Sequence, residues 1–192
     1  MITEDQTAVI DFLSSPSAYG GASVEKIDTH TAVVFLSGSC ALKLKRAVRF
    51  DYLDFSTVAR RKEMCEAEVR LNRPAAPSIY RDVTAVTREM DGSLAVNGNG
   101  VPVEWLVRMN RFNEEYLFDR LAERRQLERA VMAPLASAIA RFHATTDHRF
   151  DHGGHVGMQW VIDGNEAGFK EFGTSVFDPE TRNRVTRPPR LN

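Results

Sequence analysis

Between residues 24 and 48, side-chain character alternates with a period of about two in three short stretches: Val24 to Asp28, Ala32 to Leu36 and Cys40 to Val48. That period predicts three strands, with the Ser-Gly-Ser step around Gly38 as a tight hairpin. Before them, Val9, Ile10 and Leu13 form an apolar stripe ending at Ser14, Ser15 and Pro16. Thr3 and Gln6 stand at capping-box spacing ahead of it, so a short amphipathic helix is expected there. After the third strand, Ser56 or Thr57 is placed to cap a helix running to about Arg73. Met64, Glu68 and Leu71 then share one side of it, aiming Glu68 inward. Pro74 and Pro77 close the helix. From Ile79 to Phe112 strand patterning returns, interrupted at Asp91-Gly92 and at Asn97 to Gly100, which predicts two or three more antiparallel strands.

From Glu114 onward the apolar spacing changes to about 3.6 residues. Leu117 and Leu121, then Val131, Leu135, Ile139 and Phe142, predict two helices, the second ending near Ala144. Met158 to Phe172 predicts a third, weakened by Gly164 and Gly168. Residues 176 to 192 hold few apolar side chains and are expected to be poorly ordered. The order predicts an α+β protein. A five-stranded antiparallel lobe with one inserted helix spans residues 1 to 110, and a helical part spans 111 to 175.

Composition narrows the functional classes. A net charge of -1 over 192 residues gives no general attraction to nucleic acid or to an acidic membrane. Any polyanion site must therefore be local. Cys40 and Cys65 have no zinc or redox spacing and read as reduced structural thiols. The amino terminus has neither a signal-peptide nor a membrane-anchor pattern, so a cytoplasmic location is expected. Asp51 and Asp54 precede a helix and fit turn or capping roles better than a metal site. The histidines at 143, 148, 152 and 155 lack cysteine support for zinc, and His143 is expected to pack at a helix end. The run Arg60-Arg61-Lys62 reads as a solvated helix face.

Lys43 and Lys45 share one face of the third strand. Phosphoryl transfer requires charge neutralisation and alignment, commonly from a third-strand lysine held by a helix glutamate. Cys40-Ala41-Leu42-Lys43 has the form of the kinase strand motif V-A-I-K, and Glu66 and Glu68 lie on the following helix. Lys45 is a rival to Lys43, and Glu66 is a rival if the helix is rotated.

The run VFLSGSCALKLKRAVRFDYLDFSTVARRKEMCEAEVRLNR, with APSIYRDVTAV, VEWLVRMNRF and IARFH after it, resembles a bacterial family of aminoglycoside-phosphotransferase-like proteins, many fused to a P-loop ATPase-type domain. The resemblance covers about residues 22 to 175. It implies a protein-kinase-like fold, ATP as cofactor with Mg²⁺ in complete relatives, and a small-molecule acceptor of unknown identity. It makes Lys43 the phosphate-binding lysine and Glu68 its partner, and it makes the segment from Leu106 to Arg111, with Met109, the adenine-binding hinge. Its catalytic loop H-G-D-x-x-x-x-N has no counterpart here, the nearest text being FDHGGH at residues 150 to 155. There is no G-x-x-x-x-G-K-[ST] either. The chain is therefore expected to be cut short before the catalytic loop and to bind nucleotide at most. The alternative reading is a non-enzymatic interaction module, or fusion remnant, that binds a partner or itself through an exposed helical face. Nucleic-acid binding through Lys43, Lys45, Arg46 and Arg49 is a weaker expectation.

Overall fold

A computed structural model describes residues 2 to 148, 150, 151 and 153 to 181. The expected disorder of the carboxyl-terminal stretch falls largely outside these residues. The chain divides into two compact units, Met1–Leu135 and Ala136–Asn192.

The first unit is α+β. Helix α1 (Thr7–Ser14) is followed by strands β1 (Glu25–Asp28), β2 (Ala32–Ser37) and β3 (Cys40–Lys45). A small hairpin, β4 (Arg49–Phe50) and β5 (Leu53–Asp54), leads into helix α2 (Val58–Asn72). Strands β6 (Tyr80–Arg88), β7 (Leu94–Val96) and β8 (Val101–Asn110) complete the sheet, and a short helix α3 (Phe118–Glu123) follows. The sheet is antiparallel with the order β1-β2-β3-β8-β6-β7, so it has six strands rather than the expected five. The extra strand is β7, only three residues long.

The two faces of the sheet bury different sets of side chains. Val33, Phe35, Leu42, Leu44, Val86 and Leu106 pack with Val9 and Leu13 of α1. On the opposite face, Leu36, Ala41, Val107 and Met109 pack with Cys65 and Val69 of α2. Strand alternation assigns neighbours such as Ala41 and Leu42 to opposite layers. At the β2–β3 hairpin Ser37 pairs with Cys40. Gly38 between them has φ 53°, the left-handed value that a two-residue loop requires and glycine supplies without strain.

Three expectations need correction. Thr3 and Gln6 form no capping box: the helix starts at Thr7, and no side chain caps it from position 6. Thr3 and Gln6 bond instead to the last residue of β3 and the chain just after it, a non-local contact invisible to a local motif. On α2, Met64 and Leu71 are exposed. The inward face carries Arg61, Cys65 and Val69, with Glu68 beside them, so Arg61 is not part of a solvated face. Thr57 does cap α2, its side chain accepting a bond from the Arg60 N–H at 3.3 Å.

In the second unit, helix α4 (Met132–Thr145) continues from the first, and α5 (Gly154–Val176) runs without interruption through Gly164 and Gly168. His143 is exposed rather than packed. His152 lies outside the described residues.

Candidate functional site

Lys43 and Lys45 sit two residues apart on β3, on the face that α2 covers. Glu68 lies more than two turns into α2, and its two carboxylate oxygens are divided between them. Lys43 Nζ donates to Oε1 at 2.8 Å and Lys45 Nζ donates to Oε2 at 2.6 Å. The lysines are not equivalent. The Lys45 side chain is 7% exposed and its ammonium lies 4.9 Å from the centre of the Phe55 ring, whereas the Lys43 side chain is 30% exposed. Lys45 is the buried anchor of the carboxylate, and Lys43 is the member that reaches solvent.

Burial pushes the Glu68 carboxyl upward, but the hydrogen bonds and charges of Lys43 and Lys45 outweigh it and hold the group below the ordinary glutamate range. Two ammonium groups on one carboxylate leave one positive charge over, in surroundings less polar than water. Glu66 points elsewhere, exposed and 3.6 Å from Lys62. Tyr80 of β6 stands close enough for Glu68 to contribute, after burial, to raising its phenol. Met109 is buried on the same sheet face, opposite Ala41 across the β3–β8 pair. The segment Leu106 to Asn110 is still strand, paired with β3 from Leu44 back to Cys40. Of the segment expected as a hinge, only Arg111 lies past β8, with its N–H on the Ser39 carbonyl at 2.8 Å.

The turn between β1 and β2 is closed by Thr29, whose hydroxyl accepts from the Ala32 N–H at 3.0 Å. The following residue, His30, stacks on Phe50 of the β4–β5 hairpin with ring centres 4.9 Å apart, and Phe50 stacks on Tyr52 at 5.6 Å. Arg46 pairs with Asp28, and Arg49 and Arg60 pair with Asp54. Asp54 also accepts from the Ser56 N–H at 3.0 Å, the turn role expected before α2. Among the described residues, no group of three or more His, Cys, Asp or Glu side chains gathers where it could hold a metal ion. None of their helices is long and apolar enough to cross a membrane.

Sequence reasoning missed the buried polar group beneath the site. Arg61 is 0% exposed and its guanidinium meets Glu104 of β8, the Phe55 carbonyl and Glu4. The helical spacing of Arg61, Cys65, Glu68 and Val69, at i, i+4, i+7 and i+8, was the available signal.

The chain is similar to an uncharacterized protein of Mycobacterium bovis and to uncharacterized proteins of two Mycobacterium tuberculosis strains. Each is 29% identical over 132 residues, covering 68% of this chain and 25% of the relative. The chain spans about a quarter of the length of these curated relatives. No protein-family model matches it. No solved structure matches it either.

Proposed function

We propose that the first unit is the nucleotide-binding lobe of an aminoglycoside-phosphotransferase-like kinase, with Lys43 holding phosphate oxygens and Glu68 orienting that lysine. The observation that carries this reading is the Glu68 carboxylate held between two lysines, with one positive charge in surplus beside solvent. A triphosphate supplies the opposite charge, and a partly exposed ammonium can turn toward it without leaving its strand. Lys45, fixed under Phe55, keeps Glu68 ionised and in place while Lys43 engages the ligand. In complete relatives Mg²⁺ and a catalytic loop would supply metal-assisted transfer to a small-molecule hydroxyl. This sequence contains no H-G-D-x-x-x-x-N, so the activity proposed for the chain is binding without turnover.

The reading is tested by calorimetric titration of ATP and of inorganic tripolyphosphate into the full chain and into Lys43→Ala. Saturable binding that weakens by at least about tenfold in Lys43→Ala is expected. No saturable binding, or equal affinity in the variant, would sink it. ATP-dependent phosphorylation of any acceptor, abolished in Lys43→Ala, would overturn the claim of no turnover.

A second reading, an interaction module, is favoured by one observation on α5. Val156 and Trp160, one helical turn apart on the same side of α5, are both more than half exposed, as expected of a helix that meets another surface. Sedimentation at rising concentration decides whether that surface is another copy of the chain: association should appear and be lost in Trp160→Glu. A monomer at all concentrations argues against self-association.

A further inference from the structure

We infer that Gln6 and Arg61, joined through Glu104, form a buried clamp that sets the spacing between the Glu68 helix and the lysine strand. The inference rests on the reading of Lys43 and Glu68 as a phosphate site. Its geometry stands independently of the ligand.

Arg61 lies seven residues before Glu68, two turns back along one face of α2. Its Nε donates to Glu104 at 3.0 and 2.9 Å, and its Nη1 donates to the Phe55 carbonyl at 2.9 Å. Its Nη2 meets Glu104 at 2.8 Å and Glu4 at 2.6 Å. Glu104 belongs to β8, the neighbour of β3 in the sheet. Its Oε2 also accepts from the side-chain amide of Gln6 at 2.8 Å. That same amide nitrogen donates to the Lys45 carbonyl at 3.0 Å, and the Gln6 oxygen accepts from the Ala47 N–H at 2.7 Å. One set of bonds therefore grips α2 two turns from Glu68 and the backbone at and just beyond Lys45.

Packing alone would leave α2 free to slide or roll by fractions of an ångström over Cys65 and Val69. Directional bonds to a fully buried guanidinium do not allow that, because any displacement strands donors without water to replace their partners. Gln6, Arg61 and Glu104 touch no proposed ligand. They are positioning residues, acting through Lys45 and Glu68.

The carboxyl carbon of Glu68, followed by nuclear magnetic resonance as pH is lowered, reads the spacing directly. Lys43 and Lys45 of β3, Tyr80 of β6 and Cys65 of its own helix are the ionisable groups around it. In Gln6→Ala the clamp loosens without any change of charge. The Glu68 midpoint should rise toward the ordinary range, and tripolyphosphate should bind about tenfold more weakly. Glu4→Gln is the second variant, chosen because Glu4 is 44% exposed and is the outermost partner of the buried Arg61. Removal of its negative charge alone would lower the Glu68 midpoint, whereas a loosened clamp raises it, so the sign separates the two causes. An unchanged or lowered midpoint in Glu4→Gln, or an unchanged one in folded Gln6→Ala, overturns the clamp. If Gln6→Ala does not fold, Glu4→Gln decides alone. A wild-type chain that ignores tripolyphosphate sinks the phosphate reading, and the carboxyl titration still judges the clamp.

Discussion

Lys43 and Lys45 carry the same group on the same face, yet their surroundings give them opposite roles. Lys45 is enclosed by Phe55 and Glu68, and Lys43 meets solvent. Glu68 links them, and its depressed proton affinity has a pH consequence. A carboxyl held below its unfolded value stabilises the fold above that value and loses the contribution as pH falls through the folded one. The thermal midpoint of the wild type should therefore fall more steeply than that of Glu68→Gln below the ordinary glutamate value of 4.5. Parallel curves would refute the coupling. Cys65 shows the reverse case: burial pushes its thiol up to about 12, so it should resist disulfide reagents at pH 8 until the protein unfolds. At this scale the shared face of the lysines was legible from strand alternation, whereas the inward aim of Glu68 was reached through the wrong neighbours, since Met64 and Leu71 are exposed and Cys65 and Val69 mark the inward face. Arg61 was not legible, because a run of three basic residues reads as solvated until β8 supplies a carboxylate against it.

Elements were legible wherever local chemistry decides them. The three-stranded opening, the Gly38 hairpin and the Thr57 cap all follow from residues adjacent in sequence. Thr57→Ala should cost about 1 kcal/mol in denaturant unfolding, since it removes one bond to an otherwise orphan N–H. Gly100 is a different case. A Cβ there would collide with the Arg88 carbonyl, because the chain re-enters the sheet at β8 beside the end of β6. Gly100→Ala should lower the thermal midpoint more than Gly92→Ala, whose turn position has open space around it despite its φ of 84°. Equal losses would mean that backbone freedom, not close approach, governs both. The role of Thr3 and Gln6 escaped the sequence reading, and the sixth strand was left open by it. Thr3 and Gln6 depend on a loop some forty residues away, which periodicity within a window cannot register, whereas β7 is a three-residue edge strand hairpinned to β6 and is too short for alternation to show.

At the scale of the molecule, both faces of the sheet close their cores within the first unit: every buried residue of the two clusters lies between Val9 and Met109. A chain ended at Val131 should therefore keep a cooperative melt and whatever affinity for tripolyphosphate the full chain has; loss of cooperativity would show that the second unit completes the fold. Net charge stays near zero overall while the site holds a local excess, so any anion affinity should fall as salt rises. The other end of the molecule is less tolerant of trimming. Ile2 bridges to Val48, Thr3 bonds to Ala47, Glu4 holds Arg61 and Gln6 brackets Lys45. A recombinant protein begun at Thr7 for convenience would keep every residue of the lysine–glutamate site. It would nonetheless leave Arg61 and Glu104 each short of a partner in the interior, and the choice of first residue would decide what a binding assay measured.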